Sequence, residues 1–349
     1  MRKISAKGEA LKPGPTKLLL AVAAYTLPSS AWAACTVSNT GPTSIGTYPS
    51  ATVQTGNALY AKVPAGFDCA DALLTVLGSD TLSVTATSLQ GFKLTSAKTN
   101  SSVSYALAAD SAATKPITPG TKFYYMNGTL LNLLGLLGNS VRNVPIYVKP
   151  SSATEIAPGT YTGEFQLAWE WKLCTAAVVA CVGSTQSTVP VTATVSITMV
   201  VQAKPVGIVI TTRTTWDPQS TTVNPRAIPG SKQRTTITLS NPNIVAVDAN
   251  TLAVVLPTPA RGAVALDGDG TSSTAYVTTT EGSPASSLEV RYASPGDGND
   301  DVDFSSDGGV GWTYDPTTTP RAVTNVRIRP HGTMAAGSSF SVSLPYALF

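Results

Sequence analysis

Between Val189 and Gln202 the chain reads VPVTATVSITMVVQ. Val191, Ala193, Val195, Ile197, Met199 and Val201 take alternate positions, with Thr or Ser between most of them. Successive side chains of a strand point to opposite faces, so this spacing predicts a strand with one face in a core and the other in water. A helix would scatter the same residues around its surface.

Shorter runs of the same kind recur. LYAKVPAGFDC leads into Cys69, and DTLSVTAT, SVSYALA, NVPIYVKP and GEFQLAWEWKLC follow it. After residue 207 come GIVITTR, RTTITLS, NTLAVVLP, SLEVRY and VTNVRIRP. Only 12% of the 349 residues are charged, and 28 Gly and 25 Pro punctuate the runs. Short strands between turn formers predict an all-β protein made of sandwiches.

The first 33 residues carry the layout of an export signal. Arg2, Lys3, Lys7, Lys12 and Lys17 precede the apolar LLLAVAAYTL, Pro28 ends it, and Ala31 and Ala33 supply the small residues before a cut after Ala33. A lipid anchor on Cys35 would want a leucine-like residue where Trp32 stands. Without the signal, Lys plus Arg falls from 23 to 18 and Asp plus Glu from 20 to 19, a net charge of about −1. A nearly neutral chain without basic runs offers no electrostatic case for nucleic acid.

Four cysteines, Cys35, Cys69, Cys174 and Cys181, make an even count in an exported chain. Sequential pairing, Cys35–Cys69 and Cys174–Cys181, is the expected framework. By loop entropy the first bridge is worth roughly 3–4 kcal/mol and the second about 2.5 kcal/mol. The competing zinc reading would need a tetrahedral thiolate or imidazole set, and these spacings are not of the CxxC kind.

The strongest strand ends at QAKPVG, Gln202 to Gly207, where Pro205 discourages continuation. The organisation expected is a signal peptide at 1–33, one sandwich at 34–203 and a second, unrelated one at 204–349.

CTVSNTGPTSIGTY places Ile45-Gly46-x-Tyr48 after Cys35, and VPIYVKPSSATEIAPGTYTGEFQLAWEW places Val144-Pro145-Ile146-Tyr147 before Pro158-Gly159-Thr160-Tyr161. With Cys69 at the partner position, residues 35–173 resemble the spore coat U-like pilin family, the subunits of archaic chaperone–usher pili. TTVNPRAIPGSKQRTTITLSNP, VDFSSDGGVGWTYDP and AVTNVRIRPHGTMAAGSSFSVSL make residues 207–345 similar to the surface-protein repeats of unknown function found in bacterial exported proteins. Together these resemblances imply two immunoglobulin-like β-sandwiches in tandem. They also imply export through the periplasm to the cell surface or a pilus. The implied partners are a periplasmic chaperone, an outer-membrane usher, a neighbouring pilus subunit, and an abiotic or host surface. Pilin subunits of this type carry a donor strand ahead of the first cysteine, whereas cleavage after Ala33 leaves only Ala34 there. The extra strand at Val189–Gln202 is expected to pair with the strand near Cys35 or with the Trp169–Trp171 strand and so complete the sandwich from within. A subunit that cannot donate would end a fibre, which implies an adhesin of the tip type. The alternative is a structural envelope or fibre subunit with no external ligand.

NGTLLNLLGLLGNS carries Leu130, Leu131, Leu133, Leu134, Leu136 and Leu137, six leucines in eight positions. Tucked over the sandwich they would be core. Exposed, they would form an apolar contact finger, each leucine contributing roughly 1.5–3 kcal/mol on burial against a partner. The TAAVVA between Cys174 and Cys181 reads as a stapled hairpin tip or a second apolar loop.

LDGDGTSS and GDGNDDVDF hold Asp267, Asp269, Asp297, Asp300, Asp301 and Asp303. Calcium takes six to eight oxygens and clustered turn carboxylates can supply them. Asp and Gly also fill such turns for backbone reasons alone. Asp297, Asp300, Asp301 and Asp303 are the calcium candidates, and no other cofactor is expected. His331 is the single histidine, and no GxSxG accompanies it, so no enzymatic site is expected.

Overall fold

The computed structural model describes residues 35–69, 80–128, 144–177, 181–271 and 275–349. The export signal and the leucine run therefore lie outside the described residues. Among the described residues no helix is long and apolar enough to cross a membrane.

The first half is built from β1 (Thr40–Pro49), β2 (Ala61–Val63), β3 (Thr81–Thr87), β4 (Lys93–Thr95) and β5 (Ser102–Ala108), followed by β6 (Lys122–Asn127), β7 (Ile146–Ser151), β8 (Gly159–Ala177), β9 (Cys181–Gln186) and β10 (Val191–Gln202). They join in the order β1-β10-β8-β4-β5-β7-β2, with β9 and β3 also on β8 and β6 on β3. The 19-residue β8 is the spine. One of its edges carries β10 and β9, and the other carries β3, with β4 attached at the single pair Thr162↔Thr95. The sheet wraps around one core in which Tyr125, Tyr161, Phe165, Leu167 and Trp169 are buried.

β10 is the strand the alternation predicts. Ala193, Val195, Ile197, Met199 and Val201 are all buried, and the Thr and Ser between them are not. It runs antiparallel to β8 from Gly159↔Val201 to Trp169↔Val191, and parallel to β1 from Val195↔Thr40 to Gln202↔Pro49. The expectation named two alternative partners, and β10 takes both.

Residues 203–206 belong to no strand. Beyond them come β11 (Gly207–Trp216), β12 (Lys232–Ser240), β13 (Val254–Pro257), β14 (Gly262–Val264), β15 (Thr278–Glu281), β16 (Val302–Ser305), β17 (Asn325–Ile328) and β18 (Ser339–Leu348). One sheet runs β11-β12-β18-β14 with β15 also on β18, and the other runs β13-β17-β16. Their inner faces enclose a second core around Ile237, Leu239, Phe304, Val326 and Tyr346, which shares no residue with the first. Lys204 links the halves: its N–H donates to Asn243 Oδ1 at 2.8 Å and its Nζ lies 2.6 Å from Glu155 Oε1.

Candidate functional site at one end of the first sandwich

In both tyrosine motifs the hydroxyl donates to a nearby preceding carbonyl. Gly46 has φ +128°, and a Cβ there would sit 2.6 Å from the Tyr48 hydroxyl oxygen. The bare glycine lets the ring lie back along its own strand, and Tyr48 Oη donates to the Ile45 carbonyl at 2.7 Å. Gly159 has φ +143°, and Tyr161 Oη donates to the Ala157 carbonyl at 2.7 Å. Each Gly-x-Tyr therefore ties down a strand end.

Cys35 and Cys69 are bonded, as expected. The bridge flanks the short antiparallel pair Thr36↔Asp68 and Val37↔Phe67. Phe67 stacks on Trp169 and Trp171 at centroid distances of 5.0 and 5.3 Å, and Trp169 Nε1 donates to the Ala65 carbonyl at 3.1 Å. Cys174 is also disulfide-bonded, while the side chain of Cys181 lies outside the described residues.

Asp80 organises this end of the sandwich. Its carbonyl accepts from Gly128 N at 2.9 Å, and its carboxylate accepts from Cys174 N at 3.0 Å. Next to it, Thr81 pairs with Asn127 on one side and Lys172 on the other. Tyr125 Oη donates to the Pro145 carbonyl at 2.6 Å, which brings the start of β7 to the same place. Burial pushes the Tyr125 phenol well above its ordinary pKa, so it stays a neutral donor. Asp80, Gly128 and Cys174 are thus bonded at one place, on strands that lead to or from three connections. The connections themselves, 70–79, 129–143 and 178–180, lie outside the described residues, including all six candidate leucines. A cavity of about 460 Å³ is lined by Val63, Phe67, Asp68 and Val144 among others.

The first of these connections was missed in the sequence. Ala70–Ser79 reads ADALLTVLGS, with Leu73, Leu74, Val76 and Leu77, and Val178–Ala180 reads VVA. An apolar run directly after a cysteine was the available signal.

The aspartates of the second half are engaged with their own loops. Asp300 accepts from Ala293 N and Val302 N, and Asp297 from Asn299 N. Asp301 accepts from Arg291 N at 2.6 Å and contacts His331 Nδ1 at 2.9 Å. Asp303 is buried between Arg327 Nε at 2.9 Å and Arg329 Nε at 2.8 Å. Among the described residues no three His, Cys, Asp or Glu side chains gather as a metal would require. His331 also contacts Glu289 Oε2 at 3.2 Å. It cross-links three segments.

The described residues define an all-β, sandwich-like protein with two cores. Residues 21–168 match the Spore Coat Protein U domain. The match ends within β8, so β10 lies beyond it. Among solved structures the chain is similar to a crystal structure of the CsuC–CsuE chaperone–tip adhesion subunit pre-assembly complex from archaic chaperone–usher Csu pili of Acinetobacter baumannii. That likeness has 15% identity and a TM-score of 0.41, covering 90% of this chain and 100% of the other. No curated protein matches the chain in sequence.

Proposed function

We propose that this chain is a non-enzymatic subunit of a chaperone–usher surface fibre, placed at its tip, and that the three connections at the Asp80 end make the contact with a surface. The observation that carries this reading is β10. In a subunit that waits for a neighbour's strand, the edge of the spine strand is open. Here β10 fills the edge of β8 along eleven residue pairs and is itself flanked by β1. With that edge filled by its own chain, the first sandwich needs no strand from another subunit.

The family match supports the pilus part of the reading. The apolar composition of three connections supports the adhesive part, because a contact built from leucine and valine needs no polar complement and suits apolar abiotic or host surfaces. Periplasmic chaperone, usher and neighbouring subunit follow from the same reading as partners in assembly. One observation favours the alternative of a structural subunit without an external ligand: the 460 Å³ cavity is lined in part by Val63, Phe67 and Val144, and it could receive leucines from within.

The two readings separate by experiment on the mature full-length chain. Leu133→Asp with Leu136→Asp should abolish attachment to hydrophobic beads while the melting temperature stays within a few degrees of the parent. If those leucines are core, the same change buries two unpaired charges and unfolds the sandwich. Attachment that persists in a well-folded double variant would defeat the adhesive assignment.

A further inference from the structure

The joint between the two sandwiches is shorter than its sequence implies. On the near side Gln202, the last residue of β10, still pairs with Pro49 of β1. On the far side β11 opens at Gly207, and Val206 already packs against the second core. The ring of Pro205 fixes its φ. Lys204 belongs to no strand, yet both of its backbone groups are taken. Its N–H donates to Asn243 Oδ1 at 2.8 Å, and its carbonyl accepts from Asn243 Nδ2 at 2.9 Å. The Asn243 amide thus meets Lys204 as an opposite residue in an antiparallel ladder would.

Asn243 is itself held. It is 8% exposed, and its backbone N–H and its Nδ2 both donate to Asn241 Oδ1, at 3.0 and 3.1 Å. Asn241 Nδ2 lies within 2.9–3.1 Å of the Val245, Met334 and Ala335 carbonyls. The amide that grips Lys204 is therefore built into the second sandwich. Between it and the last pair of β10 stands one residue, Ala203.

Two ion pairs also cross between the halves. Lys204 Nζ meets Glu155 in the connection from β7 to β8, and Lys98, between β4 and β5, meets Asp248 at 3.1 Å. The side chains of Lys98 and Asp248 are 74% and 69% exposed, and those of Lys204 and Glu155 are partly so. Pairs this wet contribute little and are screened by salt. Domains with separate cores move relative to one another unless something fixes their joint.

We propose that Asn243 is a clasp that fixes the angle between the two sandwiches, with Ala203 as the remaining backbone hinge. The amide pair holds the angle and the ion pairs do not, so the halves turn as one body at high salt as at low. A contact or a pull at one half then reaches the other without a loose joint. This inference concerns the joint alone and is independent of the tip and adhesive readings.

The test uses the mature full-length chain with spin labels attached through Leu89→Cys and Val310→Cys, two exposed positions, one in each half. The label-to-label distance distribution should be single and narrow, and unchanged in about 1 M salt, which screens exposed charges. Lys98→Ala with Glu155→Ala should leave it narrow. Asn243→Ala should at least double its width and speed amide exchange at Lys204. Two glycines inserted after Ala203 lengthen the hinge without touching Asn243 and should widen the distribution as well. That insertion separates loss of the clasp from any general loosening of the second sandwich by Asn243→Ala. A distribution that stays narrow in either variant, or that widens with salt or with loss of the two ion pairs, overturns the proposal.

Discussion

At the level of single residues, Gly46 and Asp80 carry the most specific consequences. Gly46→Ala forces a Cβ into the Tyr48 ring at a φ that L side chains rarely adopt. The cost expected is about 1–3 kcal/mol, read as a lower melting temperature, with Tyr48→Phe losing only the bond to the Ile45 carbonyl. Asp80→Ala takes away the acceptor for Cys174 N and should cost a similar amount. Tyrosines set the alkaline limit. Burial pushes the Tyr105 phenol up to about 12 and drives those of Tyr125 and Tyr276 well above their ordinary value. Unfolded tyrosine ionises near 10, so above about pH 10 the unfolded state loses protons that the folded state retains. Stability should hold below about pH 10 and fall as pH rises towards 12, with tyrosinate absorbance appearing together with unfolding. A tyrosinate signal that develops fully while the fold persists would contradict this burial. Acid acts on different groups. Backbone N–H bonds from Gly311 to Asp307 and from Ser220 to Asp217 hold both carboxyls below the usual carboxylate range. Their contribution is complete above about pH 4 and is lost as pH falls further, so the loops they close should gain amide exchange first in acid.

Among the elements, β10 was legible because alternation over twelve residues leaves no other conformation that buries one face. Its two partners were legible only as alternatives, since pairing depends on which edges the rest of the chain leaves open. The Gly-x-Tyr motifs were visible as letters, but the reason for Gly46, the Tyr48 ring laid over a missing Cβ, needed coordinates. The Asp-rich turns were read as calcium candidates on composition. In the structure their oxygens accept from backbone N–H groups and arginines, a use that composition does not reveal. The exposed edge of β11 was invisible for the opposite reason: GIVITTR has the pattern of a buried strand. For β10 itself, Val195→Glu or Ile197→Asp places a charge in a position that is 0% or 1% exposed. Either should cost about 3–5 kcal/mol and lower the secreted yield, whereas Thr194→Glu on the other face should be tolerated. The Cys35–Cys69 bridge closes a separation of 34 residues. Losing both cysteines should cost roughly 3–4 kcal/mol, measured by denaturant unfolding.

Across the whole molecule, the chain holds two cores that share no residue, joined through residues 203–206 and the bonds of Lys204. The first half closes on itself along β8 and β10, and the second half keeps an open strand edge at β11. A fibre-ending role for the first half depends on β10 being seated in the free protein, without help from another chain. Hydrogen–deuterium exchange of the mature chain, purified without a chaperone, measures this most directly. With β10 seated, amides of Val191–Gln202 should exchange as slowly as those of Gly159–Trp169, and an added donor-strand peptide should change neither. Fast exchange across Val191–Gln202 that slows only when a chaperone or donor peptide is added would show the sandwich to be open, and the chain to be an ordinary strand acceptor.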